Sequence, residues 1–155
     1  MLASLSAESR AAMWLQLLRD PDTHGEAEIF LALAEGDVAG FGACGRQRDK
    51  GLELAGFTGE ISALYVLRAH QRLGVGTVLM SLMAEALRKR GHQAAGLWVL
   101  RENRTARAFY ERLGGVIIGE REEQRPDATL MEFAYGWKEL SRLIPSAGLR
   151  ECRRP

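Results

Sequence analysis

The sequence predicts a single-domain α/β fold: a mixed, mostly antiparallel sheet with flanking helices. Three observations predict it. Short apolar runs recur between polar turns along the chain, which is strand behaviour. Two segments instead repeat their apolar residues at helical spacing, and both fall between strand-like runs. The chain has 155 residues, 46% hydrophobic and 26% charged, an ordinary composition for one domain with a real core.

Taken in order, residues 6–19 read as a helix, with Met13, Trp14, Leu17 and Leu18 on one stripe and a stop at Asp20-Pro21-Asp22. Residues 27–34 (AEIFLALA) read as a strand by their Ile, Phe and Leu content. Glu35-Gly36-Asp37 turns the chain, and residues 38–44 return as the second strand of a hairpin. The polar string RQRDKG reads as a loop. Residues 60–67 (EISALYVL) form a third strand. Residues 76–90 carry the strongest helical pattern, with Val78, Leu79, Leu82, Met83, Ala86 and Leu87 in register. Arg88, Lys89 and Arg90 suit its negative end, and Gly91 suits the left-handed cap. Residues 96–100 (GLWVL) are a short buried strand. Residues 105–113 are a helix stopped by Gly114-Gly115. Residues 116–120 and 129–135 are the last strands, joined by the polar loop EEQRPDA. Crossover helices make the middle strands parallel neighbours, while both ends are antiparallel hairpins. The domain is expected over residues 1–140. Trp137 onward reads as a linker, into a basic tail over residues 141–155 with four arginines against one glutamate.

Several functions are excluded at this level. A net charge of +1 argues against nucleic acid and acidic membranes as partners. No run of eighteen apolar residues predicts a membrane span. MLASLSAESR lacks a basic segment followed by an apolar one, so secretion is not expected. Cys44 and Cys152 make no CxxC pattern, which predicts a cytoplasmic protein with free thiols. His24, His70 and His92 show no metal-ligand spacing, so no metal is expected.

The string QRLGVGT, Gln71 to Thr77, carries the first chemical signal. Gly74 and Gly76 lie between a strand and the first turn of a helix. That placement aims several backbone N–H groups and the positive helix end at one spot, as an anion requires. Arg72 adds a charge. The alternative is a plain turn that needs glycine for its own dihedrals. No lysine follows Gly76, which excludes a Walker A loop. Gly40-Phe41-Gly42-Ala43-Cys44-Gly45 spells a dinucleotide fingerprint, but it lies on the return strand of a hairpin with no helix after it, and is a decoy. Asn103-Arg104-Thr105 is a formal glycosylation sequon without a secretory route.

EISALYVLRAHQRLGVGTVLMSLMAEALRKRG followed by LWVLRENRTARAFYERLGG resembles the GNAT superfamily of acetyl-CoA-dependent N-acetyltransferases. QRLGVG fits that family's pyrophosphate-loop pattern. Asn103, Ala106, Phe109 and Tyr110 match its second signature, about thirty residues further on. The resemblance is strong over residues 60–115. It implies a GNAT-like sheet whose central parallel strands splay apart, and it implies acetyl-CoA as cosubstrate. Gln71, Arg72, Leu73, Gly74, Val75, Gly76 and Thr77 would hold the pyrophosphate. Leu64, Tyr65 and Val66 would run beside the pantetheine arm, with a backbone N–H near Leu64 for the oxyanion. The reaction implied is direct transfer of acetyl to a primary amine, on a small molecule or a peptide, in a ternary complex. A homodimer is a further implication.

Roles follow. Asn103, Ala106 and Tyr110 share one helical face. Asn103 would bind the pantetheine arm or cap the helix. Ala106 and Phe109 belong to the cofactor signature, though Phe109 and Leu113 also read as the core side of that helix. Tyr110 falls where the family places its general acid, for the leaving thiolate. Glu60 is the candidate general base, opening the strand that leads into the loop, and an apolar setting would raise its pKa. Cys44 has no histidine partner in sequence and reads as a buried structural thiol. Leu73 and Gly115 depart from the family pattern. About 26 residues precede Ala27 where the family usually has a strand and two helices, so its opening strand would be absent, displaced or supplied by a partner subunit. The rival readings are a non-catalytic acetyl-CoA-binding regulator of the same fold, a different acyl-CoA donor, and a nucleotide-phosphate binder.

Overall fold

The computed structural model describes residues 27–145. The helix expected at residues 6–19, Cys152 and most of the tail lie outside them.

Six strands form one mixed sheet in the order β1-β2-β3-β4-β6-β5. β1 (Glu28–Ala34) and β2 (Asp37–Arg46) make the expected hairpin. Glu35 and Gly36 both have positive φ, 53° and 85°, which turns the chain with the twist a two-residue hairpin needs. β3 (Gly59–Val66) lies antiparallel to β2. β4 (Ala95–Leu100) lies parallel to β3. β5 (Val116–Gln124) and β6 (Thr129–Trp137) form the last hairpin. Here β6 pairs with β4 and β5 takes the edge. No helix among the described residues is long and apolar enough to cross a membrane.

Two features of this sheet position the site. β3 and β4 pair only through Gly59 with Ala95 and Glu60 with Gly96, and beyond those pairs the strands part. β3 also carries a bulge: Cys44 pairs with Ile61 and Ala43 with Ala63, leaving Ser62 as an extra residue. A bulge bends its strand and increases local twist, which carries the end of β3 away from β4.

α2 (Val75–Lys89) and α3 (Arg104–Arg112) cover one face of the sheet. The main core lies there, with Leu79, Met80, Met83 and Leu87 of α2 against Ile61, Leu97, Val99 and Tyr135 of the strands. The cysteine reading holds: burial pushes the Cys44 thiol up to about 12, and its Sγ faces the Met83 carbonyl at 3.9 Å. Gly40 and Gly42 serve packing. A Cβ at Gly42 would lie 2.8 Å from the Met83 side chain, and one at Gly40 2.6 Å from the Tyr65 carbonyl.

The second face holds a smaller cluster of Leu52, Phe57 and Ala134, with Trp98 and Ile118 against it. Leu52 comes from a helix that sequence reasoning missed. α1 (Lys50–Leu54) begins inside the expected RQRDKG loop, where Asp49 caps it by accepting from the Leu52 N–H.

Two other expectations are corrected. The charged run after Glu120 is strand to Gln124, because β5 is an edge strand and charge belongs on such edges. The boundary at residue 140 falls inside a 3-10 turn, Leu140–Leu143. Trp137, Leu140 and Leu143 are buried in the main core and Ile144 packs against it, so the domain runs past the expected linker.

Candidate functional site

α2 starts from Gly74, which sits in the left-handed region at φ +84° with no side-chain cap on the helix. The N–H groups of a helix's first turn have no intrahelical acceptor. Here Val75, Gly76 and Thr77 present theirs at one end of a fifteen-residue helix. Arg72 also has positive φ, 65°, so the loop is bent twice within three residues. Gln71 ties the loop back to β3 by donating Nε2–H to the Val66 carbonyl at 3.1 Å. Gln71, Arg72, Leu73, Gly74 and Thr77 are exposed, and Val75 and Gly76 half-buried.

The two sequence signatures meet at Gly76. A Cβ there would lie 3.1 Å from Cζ of Phe109, so the α3 ring rests on the first turn of α2. Ala106 is half-buried beside it, and its N–H donates to Oδ1 of Asn103 at 3.2 Å. Asn103 is therefore an N-cap, and its Nδ2 donor is not used in that bond.

Tyr110 is only 8% exposed. Its ring packs on Phe109, Tyr135 and Trp137. Tyr135 and Trp137 pair with Leu97 and Ala95, which places Tyr110 over the stretch of β4 where β3 departs. No residue among those described hydrogen-bonds its hydroxyl, and burial pushes its pKa up to about 12. The helix is pinned from its other side. Tyr135 donates its hydroxyl to Glu111 at 2.6 Å and accepts from Arg107 at 3.1 Å.

The splayed end of β3 divides its residues between faces. Leu64 and Val66 pack toward the main core. Tyr65 faces the other way, half open to solvent and stacked on Phe41 at 5.8 Å. A slot thus opens between β3 and β4, with the α2 loop and Tyr110 on the helix side.

Glu60 does not reach this slot as a free carboxylate. It lies in the last pair before the strands part. Both of its oxygens accept from Arg48, at 2.8 and 3.1 Å. That grip raises the Arg48 pKa further. Sequence reasoning had no signal for this partner, because it hangs on the unexpected turn into α1.

A second polar cluster on the same face also went unread. Arg121 of β5 donates Nε–H to Oε2 of Glu132 at 2.6 Å, lies 3.6 Å from Asp49, and stacks over the Trp98 ring at 4.2 Å. Trp98 donates its indole N–H to Asp49 at 3.1 Å. The signal was present in TLMEFAYGW, where one glutamate interrupts an apolar strand.

Known proteins share this fold. The sequence model of the acetyltransferase (GNAT) family matches residues 2 to 115. An uncharacterized N-acetyltransferase of Bacillus subtilis, YuaI, is 33% identical over 116 residues, covering 74% of this chain and 65% of the relative. The chain therefore spans just under two thirds of that relative's length. Among solved structures, a Desulfovibrio desulfuricans protein described as a GNAT-family acetyltransferase superposes with a TM-score of 0.69 at 18% identity, covering 88% of this chain and 84% of that one. A Bacillus anthracis protein assigned as a streptothricin acetyltransferase, solved in complex with acetyl coenzyme A, superposes with a TM-score of 0.61 at 19% identity over 70% of this chain and 60% of that one. The family match spans the loop, the splayed strands and the helix that carries Tyr110, and on it the chain belongs to the GNAT acetyltransferase family.

Proposed function

We propose that this chain is an N-acetyltransferase, moving acetyl from acetyl-CoA to a primary amine by direct attack in a ternary complex. The observation that carries this reading is the uncapped start of α2 beside a slot between parallel strands. The residues fit the cosubstrate. A helix N-terminus with free N–H groups suits a pyrophosphate. A Cβ at Gly74 would meet nothing within 4 Å, so that loop backbone is open to approach. Arg72 through Thr77 hold the phosphates in this reading. Leu64, Tyr65 and Val66, freed from β4, pair with the pantetheine amides. Asn103 offers Nδ2–H to the same arm.

Tyr110 serves the departing thiolate. Its raised pKa keeps the hydroxyl protonated across the working range. An ordinary thiol has a pKa of about 8.5, so complete transfer from this phenol runs uphill. The hydroxyl therefore acts chiefly as a hydrogen-bond donor to the developing charge. Glu60 is not carried forward as general base, because Arg48 occupies both of its oxygens.

The test is calorimetric titration with acetyl-CoA, followed by release of free coenzyme A thiol across a panel of amines. Micromolar binding with amine-dependent thiol release supports the reading. Binding without turnover on any amine would make the chain a regulatory binding module instead.

A further inference from the structure

We infer that Glu132 is the carboxylate that receives the acceptor's ammonium, at the open end of the slot. This rests on the acetyl-transfer reading above and names a residue of its acceptor side. Neither sequence signature contains Glu132.

Register places it. β3 and β4 are level at Gly59 with Ala95 and at Glu60 with Gly96. Four residues further along β4 stands Leu100, about 13 Å from that closed end, while the bulge at Ser62 leaves Leu64 about 10 Å along β3. Leu100 pairs with Glu132 on β6. Glu132 is thus one strand from the slot and about one residue beyond Leu64 toward its open end, whereas Glu60 is at the closed end. Alternation along β6 puts Glu132 on the same face as Ala134, while Phe133 and Tyr135 join the helix-side core. An amine attacking from the face opposite the α2 loop meets this surface.

The chemistry agrees with the placement. Glu132 is 0% exposed, and its Oε1 has no hydrogen-bond partner among the described residues although Oε2 is held by Arg121. A buried acceptor left unpaired is costly, and costlier when charged. The cluster reaches solvent through Arg121 and Asp49, whose side chains are 35% and 25% exposed. The Arg121 cluster holds two carboxylates, Asp49 and Glu132, against one guanidinium, while Glu60 is matched by Arg48. The group is one positive charge short, and an ammonium on Oε1 supplies both the charge and the missing donor. Across the slot, the stacked Phe41 and Tyr65 offer ring faces that also favour a cation.

The test uses protein saturated with coenzyme A, which lacks the acetyl group and permits binding without turnover. Spermidine and an alanyl tripeptide are titrated into wild type, Glu132→Gln and Glu60→Gln. The expected result is that Glu132→Gln weakens amine binding about tenfold or more, the worth of one charge-assisted hydrogen bond. Its coenzyme A affinity stays within about twofold of wild type, and Glu60→Gln keeps its amine affinity. A carbon-13 carboxyl spectrum of wild type provides a second readout that requires no variant to fold. Adding spermidine is expected to move the Glu132 resonance and leave that of Glu60 in place. Wild-type amine affinity in Glu132→Gln, a static Glu132 resonance, or a coenzyme A complex that binds neither amine would each overturn the inference. Failure of wild type to bind coenzyme A would overturn the acetyl-transfer reading itself, a different and separately visible outcome.

Discussion

Gly74 and Gly91 provide a matched pair for testing the anion loop. They stand at opposite ends of α2, with φ of +84° and +92°. A Cβ at either would meet no atom within 4 Å. Alanine therefore costs both positions the same kind of energy, left-handed backbone strain of about 1–2 kcal/mol without a steric clash. For a domain of this size that predicts melting temperatures lowered by about 2–8 °C in each variant. Their effects on acetyl-CoA separate. Gly74→Ala strains the backbone that aims the N–H groups of Val75, Gly76 and Thr77, and is expected to weaken binding about tenfold or more. Gly91→Ala acts at the far end of the helix and is expected to leave binding within about twofold. Melting curves and calorimetric titrations on both proteins decide the matter. Equal losses of affinity, or none in Gly74→Ala, would refute the assignment of this loop to the cosubstrate.

Other substitutions test other contacts. Tyr110→Phe is expected to lower kcat about tenfold with little change in melting temperature, because the hydroxyl is unpaired among the described residues and assists a leaving group that departs fairly well alone. The pKa of Tyr110 is raised from 10.0, and that of Cys44 from 9.0, each to about 12. The unfolded chain thus loses those protons first. Stability from these groups is fully present below about pH 9 and is lost as pH rises toward 12; denaturant titrations of Tyr110→Phe and Cys44→Ala across that window should each flatten part of the fall. Cys44 is also expected to resist alkylation by iodoacetamide until the protein is unfolded, which mass spectrometry reads directly. Gly115→Ala would set a Cβ 2.7 Å from the Trp137 ring and 3.0 Å from the Tyr110 carbonyl, and is expected to cost about 1–3 kcal/mol by overpacking.

The Gly115 contact bears on how much the sequence disclosed. Gly115 leaves room for the ring of Trp137 from β6. One-dimensional patterns could not show that contact, because the two positions meet only through the sheet. The same limit hid the pairing of Arg48 with Glu60 and the cluster around Glu132. By contrast, α2, α3, the first hairpin and the loop at Gly74 were legible, since each is written in local periodicity or in a glycine at a fixed offset. α1 escaped because five residues are too few to display a helical period. The order β4-β6-β5 escaped because strand neighbours are chosen by packing, and both orders are compatible with the same runs of residues.

Ser62 gives β3 a constraint on shape rather than on identity. Side chains alternate along a regular strand, and a bulge takes up one extra residue without reversing those that follow. With Ser62 in place, Ile61 and Leu64 both face the helices although three positions separate them, and Tyr65 lies on the opposite side. The serine itself is exposed, so nearly any residue can take its place. Deleting it would leave Ile61, Ala63, Leu64, Tyr65 and Val66 in plain alternation opposite the same β2 partners, with Leu64 and Val66 still on the core side. The core would survive that deletion, and the strand would lose the bend that carries its end away from β4.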